Sequence, residues 1–178
     1  NFSAHKHVRS EKDKISVEAL IKNNVFGAIK LLKLCNTNVP KYFFSVSTDK
    51  AANPVNIMGA SKSLMEKLIL SKKDEFRVST ARFANVAYSN GSLLDGFIFR
   101  LNKNQPLSCP SDVKRFFVSE KQSGQICLLA TFLGSSGNIF FPKLDFHKDQ
   151  IFFKEIALSF LNEMGFEPEL VQSEKEAK

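Results

Sequence analysis

A chain of 178 residues, 43% apolar and 24% charged, has ordinary globular composition and enough length to bury a core. No apolar run approaches the roughly 18 residues that cross a bilayer, and Asn1–Arg9 lacks the apolar centre of a signal peptide, so a soluble cytoplasmic protein without a membrane span is expected. The net charge of +7 favours an anionic partner, yet the lysines scatter over expected helix surfaces and no nucleic-acid-binding motif occurs, which excludes nucleic acid as the expected partner.

In chain order, Asn1-Phe2-Ser3-Ala4 reads as the end of a strand. Val17, Leu20, Ile21, Val25, Ala28, Ile29 and Leu32 follow the helical period and predict one long amphipathic helix from Ile15 to Cys35. Asn24 falls on or beside its apolar face, where a locally hydrogen-bonded edge position is the plain expectation. Pro40 closes the connection to a buried strand, Tyr42–Ser47, which ends where Thr48, Asp49 and Lys50 begin. After a short loop, Ile57, Ala60, Leu64 and Leu68 predict a helix to about Lys73 that docks by that face, with Met58 and Lys62 sharing another. Arg77–Val86 suits a further strand, and Tyr88-Ser89-Asn90-Gly91-Ser92 a turn.

Leu94, Phe97, Ile98 and Leu101 mark the next helix, ended by Pro106. Arg115–Val118 leads into Ser119 and Gln122 at capping-box spacing, then a helix through Ile126, Leu129, Ala130 and Leu133 that stops at Gly134. Gly137–Pro142 is a short strand and Ile151–Met164 a last helix with Gly165 past its end. From Ser173 the chain is charged and expected to fray. Strands alternating with helices imply an α/β fold with parallel pairing and right-handed crossovers.

In such sheets chemistry sits at the carboxyl ends of strands, which is where Asp49, Lys50 and Lys62 gather. Two lysines and an aspartate around one strand-to-helix crossing read as an active-site edge. Other chemistries find less support. His5, His7 and His147 are the only histidines, and the cysteines Cys35, Cys109 and Cys127 are odd in number and far apart, so neither a metal site nor a disulfide framework is expected. Ser47 has no Gly-x-Ser-x-Gly elbow and no histidine near it in sequence.

Ser47-Thr48-Asp49-Lys50 through Asn56-Ile57-Met58-Gly59-Ala60-Ser61-Lys62, with Ser3–Val8, Asn23-Asn24-Val25-Phe26-Gly27, Arg82-Phe83-Ala84-Asn85-Val86 and Arg115-Phe116-Phe117, resembles the extended short-chain dehydrogenase/reductase superfamily. More narrowly it is similar to the UDP-N-acetylglucosamine 4,6-dehydratases of polysaccharide biosynthesis. The resemblance implies a partial Rossmann-like fold, a doubly wound parallel sheet over residues 1–90 carrying the catalytic residues, and a mainly substrate-binding C-terminal subdomain over 91–178. It implies NAD or NADP as cofactor, a UDP-sugar as substrate, and a homo-oligomer in the full-length protein. Lys50 would then be the base that removes the carbon 5 proton, Asp49 the acid for the carbon 6 hydroxyl, and Thr48 the hydroxyl of the superfamily triad. Lys62 would bind the nicotinamide ribose, Ser3 and Ala4 would pass the cofactor, and Asn24 would order the site, which displaces its plain reading. Asn85 and Arg115 would contact the substrate diphosphate. A nucleotide-sugar epimerase or reductase of the same fold, and a non-catalytic binding module, are the alternatives.

Two departures sharpen this. The superfamily usually has tyrosine where Met58 stands, and a thioether cannot take a proton from the carbon 4 hydroxyl, so Lys62, Asp49 or a water must. No Gly-x-x-Gly-x-x-Gly turn occurs in the sequence, which predicts the latter part of a longer protein.

Overall fold

The structure, a computed structural model, describes residues 1–6, 11–171 and 176. His7 and most of the tail expected to fray, including Ser173, lie outside the described residues. The chain forms two compact units, Asn1–Phe83 with Lys121–Lys143, and Ala84–Glu120 with Leu144–Lys178. This differs from the single cut at residue 90 read from the sequence, because residues 121–143 return to the first unit.

The first unit is built on a parallel sheet, β1 (Phe43–Thr48), β2 (Val78–Phe83) and β5 (Asn138–Phe140), in the order β1-β2-β5. Phe43 pairs with Val78 and Thr48 with Phe83, so β1 and β2 end level. Both strands are buried along most of their length, and the polar Ser45, Ser47, Ser79 and Thr80 are buried with their apolar neighbours. Asn1–Ala4 adopts no assigned strand, but Val46 N donates to Asn1 O at 3.0 Å, so the segment runs along β1 as a strand end would.

The expected long helix spans Lys14–Thr37, and its middle is not α-helical. It comprises α1 (Lys14–Ile21), capped by Asp13 accepting from Ser16 N at 3.0 Å, a π-helical turn (Lys22–Phe26), and α2 (Gly27–Thr37). Helix α3 (Ile57–Leu70) begins at the cap Asn56, whose side chain accepts from Gly59 N at 2.7 Å. Its buried face is Met58, Lys62, Met65 and Ile69 rather than the predicted Ile57, Ala60, Leu64 and Leu68; Leu64 is 47% exposed. Met65 and Ile69 fill the core with Leu32, Phe43, Phe76 and Val78, each large side chain contributing about 1.5–3 kcal/mol by burial. Gly59 explains the orientation: a Cβ there would stand 2.7 Å from Lys50 O, so the helix presses its first turn directly on the segment after β1.

Helix α5 (Glu120–Phe132) starts one residue after Ser119, and Ser79 Oγ donates to its Ala130 O at 2.6 Å. Arg77, at the entry to β2, donates to Gly134 O and Phe132 O at 3.0 Å, satisfying carbonyls at and just past the helix end.

The second unit contains β3 (Asn85–Val86), α4 (Leu93–Leu101), β4 (Lys114–Val118), β6 (Gln150–Phe152) and α6 (Phe153–Glu163). β4 pairs parallel with β3 and antiparallel with β6. The predicted last helix is therefore two residues shorter at its start, since Ile151 and Phe152 complete a ladder with β4 before α6 begins. Gly91, at φ +70°, makes the expected turn before α4, and Ser92 caps that helix by accepting from Asp95 N at 3.2 Å. Leu94, Phe97 and Ala157 form the unit's buried cluster.

Candidate active site

Thr48 is the last residue of β1 and caps a single 3₁₀ turn, Asp49–Ala51. Its hydroxyl donates to Asp49 Oδ1 at 2.9 Å, and the same carboxylate oxygen accepts from Lys50 N at 2.8 Å and from Lys50 Nζ at 3.0 Å. The acid and base predicted from sequence are thus each other's partner. Their side chains are 38% (Lys50) and 50% (Asp49) exposed, and a pair that open is worth at most about 1 kcal/mol, so either group can turn to a substrate at little cost. The charge in contact with Lys50 is the Asp49 carboxylate.

Lys62 sits differently. It is 4% exposed, donates from Nζ to Val46 O at 2.7 Å and touches Met65 Sδ at 3.5 Å. Burial lowers its pKa from 10.5 to about 8, opposed in part by the Glu66 charge. Glu66, one turn further along α3, is itself buried and held by Arg82 at the end of β2, with Nε on Oε2 at 3.0 Å and Nη2 on Oε1 at 2.5 Å. That bond raises the Arg82 pKa. Met58, one turn before Lys62, is 4% exposed and offers no donor or acceptor proton site.

Asn24 is fully buried in the π-helical turn, the kind of local widening that recurs at functional sites. Its Oδ1 accepts from His5 N at 2.8 Å, and its Nδ2 donates to His5 O at 3.0 Å and Ser61 Oγ at 2.9 Å. Ser61 in turn donates to Met58 O at 2.8 Å. One side chain therefore ties the N-terminal segment to the turn of α3 that carries Met58 and Lys62. Ser3 and Ala4 are exposed in that segment, and Ser3 Oγ donates to Asn23 Oδ1 at 3.3 Å.

Thr48, Asp49, Lys50, Met58, Lys62 and Asn24 thus converge on one end of β1 in the first unit. Asn85 and Arg115 belong to the second unit, on the neighbouring strands β3 and β4. Arg115 is exposed, and one guanidinium nitrogen donates to Lys114 O at 2.8 Å. Sequence reading missed Ser61, the Glu66–Arg82 pair and Glu11, whose carboxylate accepts from Ile57 N at 3.1 Å and Met58 N at 2.7 Å. Among the described residues no group of three or more metal-ligating side chains could hold a metal ion, and no helix is long and apolar enough to cross a membrane.

The family model described as polysaccharide biosynthesis protein matches residues 1–177. The chain belongs to that family, within the extended short-chain dehydrogenase/reductase superfamily. It is 31% identical over 158 residues to an uncharacterized membrane protein of Methanocaldococcus jannaschii, covering 85% of this chain and 47% of the relative. It is 35% identical over 129 residues to a UDP-glucose 4-epimerase of Rickettsia bellii, covering 69% of this chain and 38% of that one. The chain therefore spans less than half the length of these curated relatives. A dTDP-glucose 4,6-dehydratase of Streptomyces venezuelae, solved with NAD bound, shares the fold at a TM-score of 0.75 and 19% identity, covering 92% of this chain and 56% of that one. The α/β, Rossmann-like fold expected from sequence is the fold observed.

Proposed function

We propose that the protein is a 4,6-dehydratase of a UDP-linked N-acetylhexosamine, working with NAD or NADP in surface polysaccharide or glycan biosynthesis. The observation that carries this reading is the Asp49–Lys50 pair, an acid and a base on successive residues, 3.0 Å apart at a solvent-open strand end. Elimination across carbons 5 and 6 needs both groups at once, on neighbouring atoms of one sugar.

The residues present fit the ribose end of the cofactor. Lys62 spends one strong hydrogen bond on Val46 O, which leaves a donor for a ribose hydroxyl, and Ser47 on the same strand end has a buried hydroxyl without a partner among the described residues. Ser3, Ala4 and Lys62 would hold it there, with Asn24 ordering that edge of the site through His5 and Ser61. Bound, it supplies hydride removal at carbon 4 and hydride return at carbon 6.

The chain's own residues handle the protons. Lys62, buried and able to be neutral near pH 8, takes the proton of the carbon 4 hydroxyl that Met58 cannot accept. A proton shift along the Lys50 Nζ to Asp49 Oδ1 hydrogen bond turns the ion pair into a neutral amine and a carboxylic acid, and a substrate that displaces water favours the uncharged form. Lys50 then removes the carbon 5 proton while Asp49 protonates the leaving carbon 6 hydroxyl, which regenerates the ion pair. Thr48 orients Asp49 through its hydroxyl. Asn85 and Arg115 would bind the diphosphate, the guanidinium through paired N–H donors.

The identity to a UDP-glucose 4-epimerase favours a second reading, inversion at carbon 4, in which no water leaves and carbon 5 keeps its proton. One experiment separates the two. The intact protein with UDP-N-acetylglucosamine in heavy water should give a product lighter by one water with deuterium at carbon 5. Lys50→Ala should lower that elimination and exchange by about 10²–10⁴-fold. A product of unchanged mass that retains its carbon 5 proton would sink the dehydratase reading and support the epimerase.

A further inference from the structure

Lys62 and Glu66 stand four residues apart on α3, the spacing at which an ammonium and a carboxylate ordinarily pair on a helix. They do not pair here. Glu66 gives both carboxylate oxygens to Arg82 Nε and Nη2, and Lys62 Nζ turns instead to the backbone oxygen of Val46 and the Met65 thioether. Glu66 is 3% and Lys62 4% exposed, so neither can exchange its partner for water. We propose that Arg82 is a positioning residue for the proposed active site: its two-pronged hold on Glu66 withholds that carboxylate from Lys62 and so keeps Lys62 without a counter-ion and ready to accept a proton.

The inference rests on reading Lys62 as the acceptor of the carbon 4 hydroxyl proton. The surroundings of Lys62 leave Glu66 as the carboxylate that decides its charge. Asp49, on the turn after β1 that packs on α3, is engaged with Lys50. Glu11 is spent on the backbone N–H groups that open α3. Asn1, whose nitrogen donates to Phe44 O at 2.6 Å beside β1, carries no carboxylate that could serve Lys62. The remaining charged groups on the packed helical run, Lys14, Glu18, Lys22, Lys30 and Lys33, face solvent, where screening is strong. Glu66 adds a raising influence on Lys62 even while bound to Arg82, so release of that carboxylate toward Lys62 strengthens an interaction already present. A fork of two parallel N–H donors is what holds a carboxylate in one direction, and a lysine at position 82 would supply only a point charge.

The test reads Lys62 itself. In the intact protein, the side-chain NMR signal of Lys62, assigned by its loss in Lys62→Met, should titrate near pH 8. In Arg82→Met the midpoint should rise by about one to two units, and in the Arg82→Met/Glu66→Gln double variant it should return to the wild-type value or below. Arg82→Lys, which keeps the charge and guards against misfolding of the neutral variant, should give a smaller rise in the same direction. An unmoved midpoint in Arg82→Lys and Arg82→Met overturns the inference, as does a rise that Glu66→Gln fails to reverse. The pH dependence of turnover is a separate readout: if the midpoint moves but the activity profile does not follow it, the role of Lys62 in turnover fails while the hold of Arg82 on Glu66 stands.

Discussion

Lys62 carries its charge where the fold resists it, and that resistance is measurable as stability. Its pKa is about 8 folded against 10.5 for an exposed lysine. Below pH 8 both states hold the proton and the full cost of burying the ammonium is present, about 3 kcal/mol. Between pH 8 and 10.5 the unfolded chain binds the extra proton, so folding becomes more favourable as pH rises through that window. The wild type should therefore gain stability between pH 7.5 and 10 relative to Lys62→Met by up to about 3 kcal/mol in paired urea-unfolding series. Equal slopes for the two proteins would remove the buried-charge account. The residues of this site differ in how far they could be read from sequence. Thr48, Asp49 and Lys50 are contiguous, so their juxtaposition at a strand end needed no tertiary information. Glu11 reaches Ile57 and Met58 across more than 45 residues, and Asn24 reaches Ser61 across 37; such contacts exist only once the helical run and α3 have packed.

At the scale of elements, α3 shows why a correct helix can be assigned a wrong face. Ile57, Ala60, Leu64 and Leu68 form the more apolar stripe by residue type, and hydrophobic periodicity selects them. The folded helix instead buries a stripe with Lys62 and Glu66 in it, because Gly59 seats the first turn on Lys50 O and because Arg82 pairs with Glu66 from the sheet. The π-helical turn around Asn24 was equally hidden, since no residue in Lys22–Phe26 signals a change of helical pitch. Gly59 and Gly27 offer a paired test of this packing. A Cβ at Gly59 meets Lys50 O at 2.7 Å, whereas one at Gly27 finds nothing nearer than Lys22 O at 3.7 Å. Gly59→Ala should destabilise by about 1–3 kcal/mol through overpacking and slow turnover by displacing the Asp49–Lys50 turn. Gly27→Ala should instead stabilise by about 0.5–1 kcal/mol, as alanine does in a helix interior. Urea midpoints of the two variants check this, and a Gly59→Ala protein as stable as wild type would show that α3 does not depend on the close approach.

At the scale of the molecule, the chain interleaves its two units instead of completing one before starting the next. Each strand and helix was legible locally, but the sequence carries no composition shift at Phe83, Lys121 or Lys143, where the chain passes between units. The second unit in particular needs two distant segments to close its core. Phe97 on α4, 1% exposed, packs with Ala157 and against the Phe160 ring at 5.9 Å, both on α6. Neither helix can bury its apolar face without the other, so the two segments should lose order together. Phe97→Ala removes about 3–5 kcal/mol from that cluster. In peptide-resolved hydrogen exchange the variant should lose protection in both Leu93–Leu101 and Phe153–Glu163, more than 50 residues apart, while β1 and α3 keep theirs. Loss confined to α4 would mean that α6 is held by something other than this cluster. Loss that extended equally into β1 and α3 would mean that the two units unfold as one.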